Sequence, residues 1–515
     1  MKKISVLTLV SLLFLSGCSR RNGGSTSHIE ALETPVITEG SDGPVRVEGT
    51  SYVDPFNTSM MANLYYSDGQ YSEAQRKAIS DQYVTDIEKY HAYSDNHYDY
   101  TFKNDNGGYE KITNVKTLNE SYGSEKPVVV SDYLFDLLKT AYTFTLNSDG
   151  RFNIFLGQLT SLYEDKLSEV KSMDSSTKTT LDCILEDATH LLFDDFSTEE
   201  KNSISSIVAS LPQTKEELTG LLSFEESNHS VTFHTFYKNG KAVEGLKLSL
   251  GGVAKGFATE RVASDLKASY PDISMLLNSG TSSVKTVGIR PDSKDWAIRY
   301  NNPSYYEYQD YLSNPYNPAE VVLRISGGFN ISTSGYYENC FFSLGEDKKS
   351  FLRRNHILNP LTGYSETFFD QVSVFLDNTG LADMYTTCIM NCTSLEEAEN
   401  VFSSLNEIYD EEDAGLILCY KSKKGDPSSF YSYSMDQLDN LNNASYPSVR
   451  LSDNSIYQGD YSDFNLNTNY EMVSKMNYDY QENYYFSSIL YPSAFLLTDS
   501  SQVSKPVISV LEKLE

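Results

Sequence analysis

The sequence predicts an α+β fold with mixed sheets and packed helices. Segments of alternating hydrophobicity, typical of strands, are mixed with segments that repeat apolar residues at helical spacing. They lack the regular strand–helix alternation of a doubly wound parallel sheet. Hydrophobic residues make up 39% and charged residues 22% of the 515 residues. Both values are near the globular average, which argues against a disordered chain and against a polytopic membrane protein.

The charge of the chain limits its partners. The formal net charge is −30, and Lys and Arg together number only 41. Because so acidic a chain repels phosphate backbones, we expect no nucleic-acid partner.

The N-terminal residues predict where the protein resides. Lys2 and Lys3 precede the apolar run 4–15, which is too short to span a bilayer and is typical of a secretory signal. The run ends in Leu15-Ser16-Gly17-Cys18, which resembles the bacterial lipobox, whose cysteine becomes lipidated. We interpret residues 1–18 as a lipoprotein signal peptide and expect a lipid anchor on Cys18 at the extracytoplasmic face of the cell membrane. A plain signal peptide with an incidental cysteine is the alternative.

Three segments follow the signal peptide. Residues 19–49 are rich in Ser, Gly, Thr and charge, which predicts a flexible tether. Residues 50–423 are expected to form the folded domain, with a surface insertion at about 303–318 that is rich in Tyr, Asn and Pro. Residues 424–515 form a Tyr-rich C-terminal extension of unknown role.

The first half of the domain contains one predicted strand and three predicted helix starts. Residues 56–65 are expected to form a strand and residues 72–93 a helix. Ser131 precedes a run with apolar residues at helical spacing, so we expect it to cap a helix. Thr214-x-x-Glu217 is a capping-box pattern and predicts a further helix.

Strands predominate in the second half. Residues 231–236 alternate as a strand, and the following Asn239-Gly240 pair is typical of a hairpin turn. Ser394-x-x-Glu397 is a second capping box and predicts a late helix. Further strands are expected at residues 284–287, 297–300, 321–325 and 372–376.

A glycine-rich segment before a helix is a candidate anion site. Residues 250–256 read Leu-Gly-Gly-Val-Ala-Lys-Gly, and apolar residues then continue at helical spacing. Free amides and the helix dipole favour anions there, glycines allow a phosphate to approach, and Lys255 adds positive charge. The Lys precedes the last Gly, which differs from a Walker A loop. The segment is therefore interpreted either as a phosphate site or as a tight turn, and its pattern alone does not decide between them.

Asp383 and Thr387 form a candidate metal pair. They lie four residues apart, so on a helix they share one face. Carboxylate and hydroxyl oxygens are the hard ligands that Mg²⁺ prefers, and water and substrate phosphate complete its shell. The alternative is that Asp383 only interacts with the positive end of its helix.

Two further segments carry polar side chains at element ends. His356 precedes a Pro/Gly turn and is the one histidine of seven in such a setting, although a structural role is the alternative. Residues 331–336 end a predicted strand in small hydroxyl residues. The sequence contains no recognisable Ser-His-Asp, His-Glu-x-x-His or dinucleotide Gly-x-Gly-x-x-Gly pattern.

These four segments occur in the order in which the ApbE family of FAD:protein FMN transferases carries its motifs. From about residue 52 to about residue 421 the chain resembles a divergent member. The matching segments are Gly251 to Ala258, Thr333-Ser334-Gly335, His356 to Gly363, and Ala382 with Asp383 and Thr387. Upstream matches are Phe56-Asn57-Thr58, Asp95-x-His97 and Asp149 to Ile154. The resemblance implies an ApbE-like (T-fold-like) architecture.

The resemblance also implies an activity. Family members cleave FAD at its pyrophosphate and attach FMN through a phosphoester to a Thr or Ser of a target protein, which releases AMP. For this chain the implied substrate is FAD and the implied metal is Mg²⁺. The implied partner is an extracytoplasmic flavoprotein that accepts FMN.

Residue roles follow from the matched positions. The resemblance implies that Asp383, Thr387 and the backbone carbonyl of Gly252 hold Mg²⁺ against the phosphates. Lys255 and His356 are the candidate catalytic residues: Lys255 binds and stabilises phosphate charge, and His356 accepts the proton of the target hydroxyl. The matched flavin-contacting positions are Phe56, His97, Arg151, Phe152, Asn153, Ser249, Lys255 and Leu358.

Four positions depart from the family pattern and keep other functions open. Ser249, Tyr336 and Asn359 stand where the family commonly has Asp, and residues 280–283 replace a Gly-Gly-Asp/Asn turn. One alternative is therefore a flavin-binding lipoprotein with little or no catalysis. Another is an FAD pyrophosphatase, since some relatives hydrolyse FAD to FMN and AMP. A third is a non-enzymatic surface-binding lipoprotein.

Overall fold

The computed structural model describes most of the central domain and isolated strands beyond it. The described residues are 27–28, 36–42, 45–53, 55–103, 107–173, 194–280, 282–293, 296–300, 321–325, 330–336, 339–344, 351–411, 414–423, 448–450, 456–458, 480–487 and 495–498. The predicted signal peptide, Cys18 and the insertion at about 303–318 lie outside them. None of the described helices has the length and apolar character needed to cross a membrane.

Helices start where the sequence provides caps. Within the described residues, helices α1 to α9 are Glu73–Ser94, Val115–Ser121, Asp132–Asn147, Gly157–Met173, Thr198–Ser210, Lys215–Leu218, Ala254–Ser269, Thr379–Met390 and Leu395–Tyr409. The predicted caps are confirmed, because each capping side chain accepts a hydrogen bond from the amide three residues later. These caps are Ser131, Thr214 and Ser394, and Ser72, which was not predicted as a cap, caps α1 in the same way.

Strands are interspersed with the helices along the described part of the chain. Strands β1 to β12 are Ser27–His28, Val36–Asp42, Val45–Val53, Ser59–Ser67, Tyr100–Lys103, Tyr109–Lys111, Val128–Val129, Leu222–Glu225, Ser230–Phe233, Tyr237–Lys238, Lys241–Ala242 and Ser274–Ser279. Strands β13 to β24 are Ser283–Val287, Trp296–Tyr300, Val321–Ile325, Asn330–Gly335, Cys340–Leu344, Phe351–Asn355, Gln371–Phe375, Gly415–Lys423, Ser448–Arg450, Ile456–Gln458, Tyr480–Ser487 and Phe495–Thr498. The mixture confirms the predicted α+β class.

One large sheet organises the domain. Among the described strands its order is β2-β3-β4-β12-β13-β16-β19-β20-β23-β21-β22. Neighbouring strands pair antiparallel, apart from the parallel pair β21 and β23. Helices α7 and α8 pack against each other and against the central strands β13 and β16. This packing brings the two helices with the candidate site residues onto one sheet.

The hydrophobic core lies between these helices and their neighbours. Val262 and Leu266 of α7 and Met384 of α8 are fully buried, as are Leu134 and Leu138 of α3. They belong to one contiguous cluster of buried side chains. The apolar positions at helical spacing therefore form the faces that the sequence predicted.

Two short segments confirm or correct local predictions. Asn239 and Gly240 form the two-residue turn between β10 and β11, with φ values of 54° and 76°. A type I′ turn requires this left-handed conformation, so the hairpin prediction is confirmed. The strand expected from residue 56 instead begins at Ser59. Phe56 lies in a 3-10 turn with φ of 56°, a left-handed conformation that a strand excludes.

The fold begins earlier than expected. Parts of the stretch 19–49, which we expected to be a flexible tether, form β2 and the start of β3. Val45, Glu48 and Thr50 of β3 are buried. The Glu48 carboxylate accepts a hydrogen bond from Arg76 Nε at 2.7 Å, and the Thr50 hydroxyl pairs with Ser80. Pairing with β4 and these contacts to α1 hold the segment in the fold.

Candidate functional site

The glycine-rich segment forms a turn that leads directly into α7. Residues 251–253 are a turn, and the helix begins at Ala254. The N-cap residue Val253 provides no side-chain hydrogen bond to the first-turn amides, since its side chain is apolar. Lys255 lies in this first turn and is half-buried. The Ala254 and Gly256 amides are already bound, to the Leu250 carbonyl oxygen and the Asp383 carboxylate, so the helix dipole and the neighbouring Lys255 ammonium group are the features that suit an anion.

Asp383 lies one helical turn from Thr387 on α8 and is held by three donors. Its side chain is only 3% exposed. Oδ1 accepts hydrogen bonds from Ser332 Oγ at 2.8 Å and Ser282 Oγ at 3.2 Å, and Oδ2 accepts one from the Gly256 amide at 3.1 Å. Burial raises the pKa of Asp383, while the charge of Lys255 and these hydrogen bonds oppose that rise.

Two glycines allow α7 and α8 to approach closely. A Cβ atom at Gly256 would lie 2.5 Å from the carbonyl oxygen of Thr379 and 2.8 Å from Asp383 Cβ. A Cβ atom at Gly252 would lie 3.3 Å from Thr387 Oγ1. Gly252 and Gly256 therefore face Thr387 and Asp383, respectively. Glycine at position 256 is required for this contact, because real Cβ atoms do not approach backbone atoms so closely.

Two of the three predicted metal ligands meet at this contact, and the third lies one helical turn away. Thr387 Oγ1 is 3.5 Å from the Gly252 carbonyl oxygen, and Asp383 lies one helical turn before Thr387. These are hard oxygen ligands, and they fit a magnesium ion that keeps several water or phosphate ligands. Within the described residues, no group of three or more His, Cys, Asp and Glu side chains converges on a possible metal position. The candidate set thus depends on one carboxylate, one hydroxyl and one carbonyl group.

Asn391 joins three of the predicted segments, and sequence reasoning missed it. Its Nδ2 lies within hydrogen-bond distance of the carbonyl oxygens of Arg151 at 3.0 Å, Leu358 at 3.2 Å and Thr387 at 3.3 Å, which share its two protons. A buried amide that bridges these carbonyls holds two flavin-side segments against the metal-side helix. Asn391 is the C-cap residue of α8, and no pattern in the sequence marks its long-range role.

The predicted flavin-side residues have distinct environments. Phe152 is buried with its ring near Gly252, since a Cβ atom there would lie 3.1 Å from Phe152 Cε2. Arg151 pairs with Glu397 at 2.5 Å. The Asn153 side chain is buried and is used within the fold, because its amide donates to the Pro212 carbonyl and its oxygen accepts from the Phe155 amide.

Ser249 and His356 are held by contacts to different parts of the fold. The Ser249 amide donates to the Ile154 carbonyl oxygen at 2.8 Å, which joins the glycine-rich segment to the turn after Arg151. His356 is exposed, and its amide and Nδ1 approach the carbonyl oxygen of Asn339 at 3.1 Å and 3.3 Å. These contacts orient the His356 ring toward the loop at Asn339.

Phe56 and His97 lie beside the C-terminal half of α1. The Phe56 amide donates to His91 Nδ1 at 3.1 Å, and the two rings meet edge to face with centroids 5.1 Å apart. His97 Nε2 lies 3.1 Å from Glu164 Oε2. This carboxylate raises the pKa of His97 above its ordinary value, against the opposing effect of desolvation.

Three other contributors to the site were not predicted. Ser282 and Ser332 bind the Asp383 carboxylate, as described above. Glu260 of α7 accepts hydrogen bonds from the Thr379 amide and hydroxyl at 2.8 Å and 3.0 Å, and it pairs with Lys285 at 3.0 Å. Glu260 therefore holds the start of α8. The sequence signals for these contacts were the hydroxyl-rich strand end at residues 331–336 and the altered turn at residues 280–283, and no pattern marked Glu260.

Comparison with known proteins identifies the family. Residues 101–408, more than half of the chain, match the model of the ApbE family. The chain belongs to the ApbE family. The resemblance inferred from the ordered motifs is thereby confirmed.

Named relatives cover a similar part of this ApbE-family protein. It is 24% identical over 296 residues to the FAD:protein FMN transferase of Klebsiella pneumoniae (strain 342), which covers 56% of this chain and 72% of the relative. It is 26% identical over 297 residues to the FAD:protein FMN transferase of Treponema pallidum (strain Nichols), which covers 56% of this chain and 68% of the relative.

Solved structures of ApbE proteins are also similar to it. The ApbE protein of Thermotoga maritima aligns with a TM-score of 0.47 at 16% identity, over 72% of this chain and 94% of that chain. The flavinyl transferase ApbE of Pseudomonas stutzeri, in its apo form, aligns with a TM-score of 0.47 at 18% identity, over 76% of this chain and 95% of that chain.

Proposed function

We propose that this ApbE-family protein transfers FMN from FAD to a Thr or Ser hydroxyl of an extracytoplasmic protein, with Mg²⁺, and releases AMP. The observation that carries the proposal is the contact between the glycine-rich turn and α8, in which the Gly256 amide, next to Lys255, binds Asp383 and the Gly252 carbonyl lies beside Thr387. The names of the two sequence relatives support the reaction class.

The turn is suited to bind the pyrophosphate of FAD. The Val253 side chain at the start of α7 offers no acceptor, and the helix dipole favours negative charge there. Lys255 in that turn supplies a full positive charge as a point-charge phosphate binder. We propose that these groups hold the diphosphate and stabilise the charge that develops on the departing AMP.

The metal ligands complete this half of the site. Asp383, the Thr387 hydroxyl and the Gly252 carbonyl would hold Mg²⁺. When bound, the ion would neutralise phosphate charge and polarise the attacked phosphorus. The packing of α7 against α8 holds these three oxygen ligands in place. Glu260 of α7 stabilises that packing, because it binds the amide of Thr379 at the start of α8.

The transfer step needs an acceptor hydroxyl and a base. A bond forms between the acceptor oxygen and the FMN phosphorus, and the phosphoanhydride bond to AMP breaks. His356 takes the hydroxyl proton in this proposal. Its ring is exposed, so an incoming protein can reach it.

We also propose that the protein works at the extracytoplasmic face of the cell membrane, anchored by lipid on Cys18. The support is the lipobox-like end of the apolar run at residues 4–15. An acceptor would then be a flavoprotein on the same side of the membrane.

The deciding experiment incubates the purified mature protein with FAD, Mg²⁺ and a candidate acceptor. Covalent flavin fluorescence on the acceptor in a denaturing gel, together with AMP release, is the expected result. AMP without a labelled acceptor would indicate an FAD pyrophosphatase. Bound flavin with neither product would indicate a flavin-binding protein, and no flavin affinity would indicate a surface-binding lipoprotein.

A further inference from the structure

Two serine hydroxyls converge on one oxygen of Asp383. Ser332 lies on β16 and is fully buried, and its Oγ is 2.8 Å from Asp383 Oδ1. Ser282 lies in the turn that leads into β13, and its Oγ is 3.2 Å from the same oxygen. The two serines come from different elements of the sheet, so their meeting at one atom is a product of the tertiary fold.

Proton counting fixes the direction of these hydrogen bonds. A serine hydroxyl has one proton to donate, and an ionised carboxylate only accepts. Ser332 therefore donates to Asp383 and accepts from Ser283, whose Oγ lies 3.0 Å from Ser332 Oγ. The result is a directed chain from Ser283 through Ser332 to Asp383, with Ser282 donating beside it.

Lone-pair counting shows what the two serines leave available. The two oxygens of a carboxylate offer about four acceptor positions in total. Oδ1 receives two hydroxyl donors, and Oδ2 receives one donor, the Gly256 amide. Among the described residues, the hydrogen bonds occupy one of the two acceptor positions on Oδ2, and the second position is available. The carboxylate is therefore held in one orientation with one oxygen partly free.

We infer that Ser282 and Ser332 are positioning residues that hold Asp383 so that Oδ2 is presented as a Mg²⁺ ligand. The inference rests on the proposed function. Groups that hydrogen-bond to a metal-binding carboxylate fix its orientation, and their loss weakens metal affinity by about 10–100-fold. Neither serine touches substrate in this inference, because both act through Asp383.

The test measures Mg²⁺ binding directly, by isothermal titration calorimetry of the full mature chain with and without FAD. The variants are Ser282→Ala and Ser332→Ala. Each is expected to weaken Mg²⁺ binding by about tenfold or more. Ser282→Thr retains a hydroxyl at a half-buried position and is expected to restore affinity to within about threefold of wild type.

A matched control separates this role from general loss of a buried hydroxyl. Ser80 is a buried serine on α1 that hydrogen-bonds to another hydroxyl, that of Thr50, at 2.8 Å. Ser80→Ala is expected to retain wild-type Mg²⁺ affinity. If Ser332→Ala fails to fold, as judged by circular dichroism, the half-buried Ser282 variants carry the test alone.

Several outcomes would overturn the inference. The first is equal Mg²⁺ affinity in wild type and the folded alanine variants, and the second is equal weakening of Mg²⁺ binding in Ser80→Ala. The third is that Ser282→Thr fails to restore affinity. The fourth is that wild type does not bind Mg²⁺. Failure of the proposed function is distinguishable from the first three, and the fourth would contradict both proposals. If wild type binds Mg²⁺ and the alanine variants bind it weakly, but FAD yields neither labelled acceptor nor AMP, the positioning role stands and the transferase proposal falls.

Discussion

Asp383 is the side chain on which the proposed chemistry depends most directly. Its carboxylate is buried and bound by three donors, so Asp383→Asn replaces a charged ligand with an amide of the same shape. Loss of a group that only supports a metal ligand lowers activity by up to about a hundredfold. Because Asp383 is proposed as a direct ligand, we expect Mg²⁺-dependent flavin transfer to fall by at least about a hundredfold. Gel fluorescence of the labelled acceptor measures the rate.

The control for this variant is Asp377→Asn. Asp377 is exposed and directly precedes the N-cap of α8, so it carries the same change in charge close to the same helix. We expect near-wild-type labelling from it. Labelling by Asp383→Asn at the wild-type rate would show that the metal assignment is wrong.

Lys255 tests the phosphate-binding role of the turn. A hydrogen bond to a charged group contributes about 1.5–3 kcal/mol, so Lys255→Ala is expected to weaken FAD binding by about ten- to a hundredfold. Flavin fluorescence titration gives the dissociation constant. Lys267→Ala, at the exposed end of the same helix, is the control and should leave FAD affinity unchanged. Equal affinity in both variants would contradict the role of Lys255.

His97 provides a prediction about pH. Glu164 raises the pKa of His97 above its ordinary value of 6.5. The sign of the linkage follows: the contribution of this pair to folding is fully present below pH 6.5 and is lost as the pH rises through the higher folded pKa. NMR titration of the His97 ring should show a raised pKa in wild type and a lower one in Glu164→Gln. An identical pKa in both proteins would refute the pairing.

At the scale of elements, the approach of α7 to α8 decides whether a site exists. In Gly256→Ala the new Cβ atom would meet the backbone of Thr379 and the side chain of Asp383. We expect the free energy of unfolding to fall by about 1–3 kcal/mol, as for other overpacked cores, and Mg²⁺ affinity to weaken. Urea unfolding monitored by circular dichroism measures the first effect.

Gly251→Ala is the matched control in the same turn. A Cβ atom at Gly251 has its nearest neighbour at 3.9 Å, which is ordinary van der Waals contact. This variant should retain wild-type stability. If Gly256→Ala is as stable as Gly251→Ala, the two helices are not in the close contact that the structure describes.

At the scale of the whole molecule, the sheet connects the site to the N-terminal segment. Strand β3 pairs with β4, β4 pairs with β12, and β12 pairs with β13, which is preceded by the turn containing Ser282. Strand β2, which precedes β3 in this sheet, begins at Val36, 18 residues after Cys18.

The lipid anchor itself is testable in cells. Cys18→Ser removes the thiol that would carry the lipid, so the protein should move from the membrane fraction to the soluble fraction. Immunoblotting of the two fractions measures the change, and Ser25→Ala serves as a control in the same segment. Retention of the Cys18→Ser protein in the membrane fraction would argue against lipidation at this residue.

The local features of this protein were predictable because they depend on neighbours in sequence. The caps at Ser131 and Ser394, the Asn239-Gly240 hairpin turn, and the shared helical face of Asp383 and Thr387 all follow from the geometry of three to five consecutive residues. The order of the motifs was equally available, and it was sufficient to predict the family. The left-handed conformation of Phe56 was not predictable, since no local residue pattern requires it.

Only the tertiary structure decided which groups meet. The donors to Asp383 come from residues 51, 101 and 127 positions away in sequence, and Asn391 reaches Arg151 across 240 positions. Such contacts depend on which strands pair and in which register, and local hydrophobic patterns do not specify either. The sequence by itself determined the helices, the turn chemistry and the candidate ligands. The pairing of the sheet and the glycine contacts between α7 and α8 determined that those ligands share one place.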